Sequence, residues 1–454
     1  MKEYCPDDPG DIDVRRTLAL GLSLIVLSPA SLAALTDEEI FRDFRFNLIN
    51  PGARSLAIGG AFISLADDAT AAQANPAGLS YLLKPEYFIE LRALDNSGNV
   101  DVLRESLPGG VDTTVGSGTD PEDRLSITFA SYVHPLRRVT LGFSRQVVLN
   151  TSSSTLNSFS FTFTGSPGFF STEGKGSIDV SQVNYNAGVG CRLNDRFALG
   201  ISLAFSQLTV RSEVRNLIVD TTGTVTGTPI LEPTLDLATE SDDSDTDFGL
   251  NFGIIYRPLK YKKVGFGAVY RRAPNFEISE EIDPSGLDIS GVAAALGGYR
   301  FSNEFNMPDS YGAGAYWRPR ETLTFSLDVE RVLYSSLVEG FVPGVNALTD
   351  FDARFTVDDA TECRLGGEYV QILKSGSPLA YRAGAYTQSD NTLRALSTGT
   401  NSFATTDAFP GRDREAHFTA GVGFGFKRMK LDLAMDLAQS FNQFLVSFIY
   451  QGGK

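Results

Sequence analysis

Six ionisable residues stand where side-chain chemistry has the most to work with: Glu330, Arg364, Glu368, Arg382, Asp432 and Asp436. Each lies in a stretch of alternating character, on the side that otherwise carries small residues. Carboxylates and guanidiniums gathered on one face can pair with each other or with water and so hold a packed interior together; contact with a substrate is the other use. Catalysis needs different company. His134 and His417 are the only histidines, and no Ser/His/Asp constellation or phosphate-cradling glycine loop accompanies them. The run SDDSDTD, Ser241 to Asp247, offers hard oxygens for calcium but lacks the EF-hand spacing, and it reads as a solvated surface loop. Cys191 and Cys363 fall on segments that are not neighbours, so no disulfide is expected. These residues call for no cofactor, no metal and no enzymatic activity.

The elements that position these residues are strands. FALGISLAF (197–205), FTAGVGFGF (418–426) and LDLAMDL (431–437) alternate large apolar residues with Gly, Ala, Ser, Thr or Asp. In a soluble sandwich the outward face is usually charged and bulky. Here the second face is small, which fits apolar residues toward lipid and small polar ones toward a crowded interior. No stretch of the mature chain approaches the roughly 18 uncharged apolar residues of a membrane helix. A sheet in hydrocarbon must close, because an open edge leaves backbone groups unpaired.

Fourteen such segments lie between residues 87 and 450. The connections at 134–137, 193–195, 258–262, 319–320, 371–378 and 427–429 are short, and those at 95–124, 150–177, 214–245, 272–309, 333–361 and 388–414 are long. The sequence therefore predicts an all-β fold, a 14-stranded antiparallel transmembrane β-barrel with tight periplasmic turns and large outer loops. Trp317, Tyr256 and Tyr450 fall at strand ends on the periplasmic rim, where an interfacial aromatic girdle belongs. Arg145 interrupts the lipid-facing series Val139, Leu141, Phe143, which marks an irregularity or bulge in the third strand. A net charge of −16 speaks against nucleic acid as a partner.

The N-terminus has the order of a secretory signal: Arg15 and Arg16, the apolar TLALGLSLIVL, then SPASLAAL, with cleavage after Ala33 or Ala34. The acidic start ahead of it suggests that translation begins at Val14. The division is then a signal over 1–34, an N-terminal segment over 35–82 and a barrel over 83–454.

The run from Asn50, NPGARSLAIGGAFISLADDATAAQANPAGLSYL, resembles the N-terminal region of the outer-membrane long-chain fatty acid and hydrocarbon transport family. Gly52-Ala53-Arg54, Gly59-Gly60-Ala61, Asp67-Asp68-Ala69 and Asn75-Pro76-Ala77-Gly78 carry the likeness, with weaker echoes at Met307-Pro308-Asp309-Ser310-Tyr311 and Leu365-Gly366-Gly367-Glu368-Tyr369. The resemblance implies that residues 35–82 fold into the lumen as a hatch, with Gly59, Gly60, Asp67, Asp68, Asn75, Pro76, Ala77 and Gly78 as its fixtures. It also implies passive uptake of a hydrophobic small molecule, a lateral opening beside the irregular third strand where Arg145 lies, and release after the hatch shifts. Arg271 or Arg272 would supply a cationic head-group site. The expected surroundings are outer-membrane lipid and lipopolysaccharide, and the expected state is a monomer. The Asn-Pro-Ala-Gly-Leu block also resembles secretion-associated barrels, so a protein partner in place of small-molecule transport is the alternative.

Overall fold

The computed structural model describes residues 48–95, 101–107, 111–119, 124–162, 169–222, 229–258, 263–282, 299–339, 355–389, 391–396, 414–439 and 442–453. The export signal, the Val14 start and residues 35–47 of the expected hatch lie outside them. Two short helices, α1 (Ala53–Ala57) and α2 (Ala71–Ala74), and a 3₁₀ turn (Pro76–Tyr81) precede the strands. The first ten strands are β1 (Glu86–Asp95), β2 (Asp101–Leu107), β3 (Val111–Thr119), β4 (Arg124–Pro135), β5 (Val139–Thr162), β6 (Phe169–Arg192), β7 (Phe197–Asp220), β8 (Ile230–Tyr256), β9 (Val264–Arg272) and β10 (Asn275–Ile282). The rest are β11 (Tyr299–Asn306), β12 (Ser310–Arg320), β13 (Leu323–Val332), β14 (Phe355–Thr356), β15 (Ala360–Ile372), β16 (Pro378–Gln388), β17 (Arg394–Ala395), β18 (Glu415–Phe426), β19 (Met429–Leu437) and β20 (Asn442–Gln451).

β1 pairs with β4 on one side and β20 on the other, and the sheet runs antiparallel around to β6, which closes on β5. β2 and β3 form a hairpin whose β3 lies against the outer half of β5. β10–β11 and β14–β17 are separate two-stranded sheets. The closed wall therefore has fourteen strands, as the alternation predicts. Closure gives each wall strand a neighbour on both sides, the condition for crossing hydrocarbon as a sheet.

Burial is inverted relative to a water-soluble sheet. On β20, Phe444, Val446, Phe448 and Tyr450 face outward while Gln443, Leu445, Ser447 and Ile449 are buried inside. An apolar exterior on this scale would aggregate in water and is at home in lipid. Aromatic pairs encircle the end with short turns: Tyr87 with Tyr132 and Tyr450, Phe197 with Tyr256, Trp317 with Phe325, and Tyr369 with Tyr381. Trp317, Tyr256 and Tyr450 thus sit in the expected girdle, where rings meet the headgroups.

The long connections differ from the expectation of loops. β5, β6 and β7 have 24 residues each and β8 has 27, against roughly 9–11 needed to span a bilayer. Residues 150–162, 169–177, 214–220 and 230–245 are strand, paired as a blade that rises beyond the membrane. SDDSDTD is part of β8 and not a solvated loop. Outside the bilayer neither face must be apolar, so the alternation that marks a membrane strand vanishes while backbone pairing continues. Cys191 and Cys363 are both free thiols, as their separation predicts.

Candidate functional site

The segment from Asn50 to Leu82 is folded inside the barrel as a hatch, almost wholly buried. Its small residues let backbone meet backbone. Gly59 and Gly60 have φ of 66° and 74°, left-handed values that glycine adopts freely. A Cβ on Gly59 would stand 2.7 Å from the Ala385 and Leu365 carbonyl oxygens of the wall. The wall answers with its own glycines: Gly366 and Gly384 lie against Ile58, and Gly200 and Gly253 against Pro76 and Asn75. Asn75 caps the 3₁₀ turn by accepting from Ala77 N–H at 3.1 Å, and it donates to the Ile63 and Ile254 carbonyls. Pro76 opens that turn at a position where no N–H is needed. Ala77 packs on Ala198 and Ile255, and Gly78 lies so close to the Ala66 carbonyl that a Cβ would overlap it. At the periplasmic end Tyr81 is held under the guanidiniums of Arg257 and Arg192.

Ion pairs join hatch to wall. Arg54 donates to Asp67 at 2.5 Å and to Glu368 at 3.0 Å, and Glu368 also accepts from Arg382, which reaches Asp432 at 2.6 Å. For Asp67, burial alone would raise the carboxyl, but Arg54 and Arg318 outweigh it and hold the carboxyl below the usual range. Asp68 goes the other way: burial dominates and its carboxyl is raised, although Arg54 and Thr70 oppose this. A second group is neutral as a whole. Arg364 donates to Glu330 at 2.6 Å and to Glu362 at 2.7 Å, and Arg271 also pairs with Glu330. Arg271 further donates to Asn50 and to the Ala74 carbonyl, so it is engaged in holding the hatch. Arg272 has the outward parity of Phe266 and Tyr270. Asp436 accepts from Tyr386 at 2.6 Å and Gln443 at 2.7 Å, with His417 Nδ1 at 3.1 Å.

All six charged residues singled out from the sequence therefore face inward, but in three clusters: Glu330 with Arg364, Glu368 with Arg382 and Asp432, and Asp436 apart. The sequence gives no reason to single out Glu362, Tyr386 or Gln443, and it marks Arg54 only within the Gly52-Ala53-Arg54 likeness. Their partners are up to 314 residues away, a spacing that only strand register reveals. Inward parity was the one signal available.

Above the hatch an apolar cluster fills the outer part of the lumen. Val148, Leu149, Val180 and Leu208 from the wall meet Phe276, Ile278 and Phe305 of the β10–β11 hairpin, all buried. The wall beside this cluster is broken. β4 and β5 pair only from Phe129↔Gln146 to Pro135↔Thr140. Beyond that point β4 continues to Arg124 paired with β1 alone, and β5 is next joined on that side by β3 at Ser153. Among the described residues, nothing completes the ladder between 124–128 and 147–152. Each lip carries a bulge, at Thr128 opposite Glu90/Leu91 and at Val148 opposite Gln182/Val183, and both bulged residues are buried. Arg145 lies just below, outward facing, and donates to the Ile127 carbonyl on the unpaired edge at 3.3 Å.

This architecture has known counterparts. A Pseudomonas aeruginosa FadL homologue of solved structure is 14% identical, with a TM-score of 0.59 over 90% of this chain and 99% of that one. The Ralstonia pickettii toluene transporter TbuX is 13% identical, TM-score 0.55, over 90% and 100%. The P. putida toluene transporter TodX is 16% identical, TM-score 0.52, over 90% and 100%. At these identities the likeness speaks for the fold. No curated protein sequence matches the chain significantly. The model of the family described as outer membrane protein transport protein (OMPP1/FadL/TodX) matches residues 44–447, so the chain belongs to that family and is a transport barrel of the bacterial outer membrane, not an enzyme.

Proposed function

We propose that the barrel takes up long-chain fatty acids or other hydrophobic compounds, which gather in the outer apolar cluster and leave sideways through the break between β4 and β5. The observation that carries this is the coincidence of the two features. Val148 is at once a member of the apolar cluster and the bulged residue at the lip of the break. A molecule held against that cluster is already next to the gap in the β4–β5 backbone ladder. The hatch, buried in the lumen and tied to the wall by glycine contacts and ion pairs, stands in the way of straight passage. The outward face of the β4 lip is apolar, with Leu125 and Ile127 exposed toward lipid and lipopolysaccharide, and exposed Phe143 lies just below on β5, so release there keeps the cargo out of water. Solved neighbours described as toluene transporters support a hydrophobic cargo. A barrel closed within one chain needs no second copy, consistent with a monomer.

Uptake of a fatty acid, an alkane and a monoaromatic by a deletion strain, with and without the gene restored, tests this. Restoration is expected to raise uptake of at least one severalfold. Equal uptake for all three would overturn the proposal. The blade of β5–β8, ending in the edge strand β2, favours the secretion-associated or protein-binding alternative as a second role, since a strand edge outside the membrane can accept another chain. A stable surface partner together with unchanged uptake would point there.

A further inference from the structure

A cavity of about 90 Å³ lies between the hatch, the inner faces of β5–β9 and the apolar cluster. It shares Val148 and Met307 with that cluster, and polar side chains line much of the rest of its wall. Gln146, Gln182, Asn184, Asn186 and Asn251 come from the wall, and Gln73 from the hatch. Three of these carboxamides are more than nine-tenths buried and have an oxygen that no described donor reaches: Gln146 Oε1, Gln182 Oε1 and Asn251 Oδ1. Their neighbours are partly engaged, with Gln182 donating to Asn184 and Asn251 to the Gln73 carbonyl. A buried acceptor without a donor is destabilising, so a cluster of them bordering one cavity is a site that favours something carrying donors.

The charge at the site is balanced. Arg271 and Glu330 line the cavity, but they pair with each other, and Arg364 and Glu362 complete a group of two cations and two anions. Arg272 also borders the cavity, yet it belongs to the outward parity of β9. A carboxylate entering here would bring acceptors to acceptors, and the inward-facing cations described beside it, Arg271 and Arg364, are already paired. A plain hydrocarbon would leave the three oxygens as they are. A hydroxyl donates to an amide oxygen and accepts from an amide N–H, so it matches a carboxamide in both directions.

We propose that this cavity is a head-group site for uncharged, hydroxyl-bearing apolar molecules such as alkylphenols and fatty alcohols. The hydroxyl sits among Gln146, Gln182 and Asn251, and the apolar body extends into the cluster at Val148 and Leu149. Gln146 is also the last residue of β5 paired to β4, which puts the head group at the lower end of the break. The proposal rests on the uptake reading and names the cargo that reading leaves open.

Calorimetric titration of the detergent-solubilised full-length barrel at pH 7 with 4-hexylphenol, hexylbenzene and 4-hexylbenzoate tests it. At that pH a phenol, with a pKa near 10, is neutral, while an ordinary carboxyl is ionised. The phenol is expected to bind about fivefold to tenfold tighter than hexylbenzene, the effect of about one net hydrogen bond, and the benzoate weakest. Gln146→Leu with Gln182→Leu should erase the phenol's advantage and leave hexylbenzene bound as well or better. The single Gln182→Leu variant provides the same comparison with less disturbance should the double variant fail to fold. Equal affinity for phenol and hydrocarbon, as for a cavity that only holds water, would overturn the head-group site while leaving uptake intact. Tightest binding of the benzoate would overturn it as well. Binding of none of the three would count against the uptake reading itself.

Discussion

A Cβ built on Gly253 would lie 2.0 Å from Asn75 Oδ1, and one on Gly200 would lie 2.1 Å from the Pro76 carbonyl carbon. Neither Pro76 backbone nor a side chain holding three hydrogen bonds can step aside. Gly367, by contrast, points outward and would meet Phe325 at an ordinary 3.5 Å. We expect Gly200→Ala and Gly253→Ala to destabilise the folded barrel by about 1–3 kcal/mol, the usual range for overpacking, with Gly367→Ala close to neutral. The temperature at which the folded band is lost on a gel measures this. If Gly200→Ala melts with the unaltered protein, the hatch is not seated as described. At this scale the sequence was partly legible. Asn75 before Pro76 announces a cap, and the small faces of the strands announce close packing. Which glycine meets which hatch residue was not legible, because that depends on how a loop lies across seven or more strands.

The β10–β11 hairpin roofs the apolar cluster, and its attachment is an element-scale feature. Alternate residues of β10 donate backbone N–H groups to alternate aspartates of β8: Asn275 to Asp247, Glu277 to Asp245 and Ser279 to Asp243, at 2.7–2.8 Å. The carboxylates thus stand in for a missing strand and cap an edge that would otherwise be open. This explains SDDSDTD better than a solvated loop or a calcium site does, since period-2 spacing places Asp243, Asp245 and Asp247 on one face. Replacing all three, Asp243→Ala, Asp245→Ala and Asp247→Ala, should speed hydrogen exchange at the amides of 275, 277 and 279 by roughly fivefold, as loss of about one net hydrogen bond predicts. Exchange on β18–β20 serves as the unchanged control. Unaltered exchange would mean the hairpin is held by Phe276, Ile278 and Phe305 alone. The membrane strands could be read from sequence because lipid imposes one apolar face. The blade and the hairpin could not, because no such face is imposed outside the bilayer and Asp is a poor strand former.

At the scale of the whole molecule the question is whether the hatch must move. The break between β4 and β5 lies at the level of Val148 and Leu149, in the outer cluster, whereas the hatch meets those strands lower down. Leu79 and Ala72 lie against Gly142, and Ser131 holds the Ala69 carbonyl. Asn50 to Gly52 reach the lower lip, where Gly52 N–H donates to Glu90, which also accepts from Thr128. On the proposed route, a cargo leaving through the break would pass over the body of the hatch, with the hatch as its floor. The ion pairs of Arg54 and Arg271 and the glycine contacts around the wall fit a floor better than a moving plug. A tether separates the two: Ala72→Cys with Gly142→Cys, in a background of Cys191→Ser and Cys363→Ser. The Cβ positions are 3.3 Å apart, at the near edge of the roughly 3.5–4.5 Å that disulfides occupy. We expect the oxidised barrel to keep at least about half of the uptake of its reduced form, since no break in α2 packing is needed for lateral exit. A block that reductant reverses would instead show that the floor shifts during transport, and the route past β4 and β5 would then have to begin beneath it.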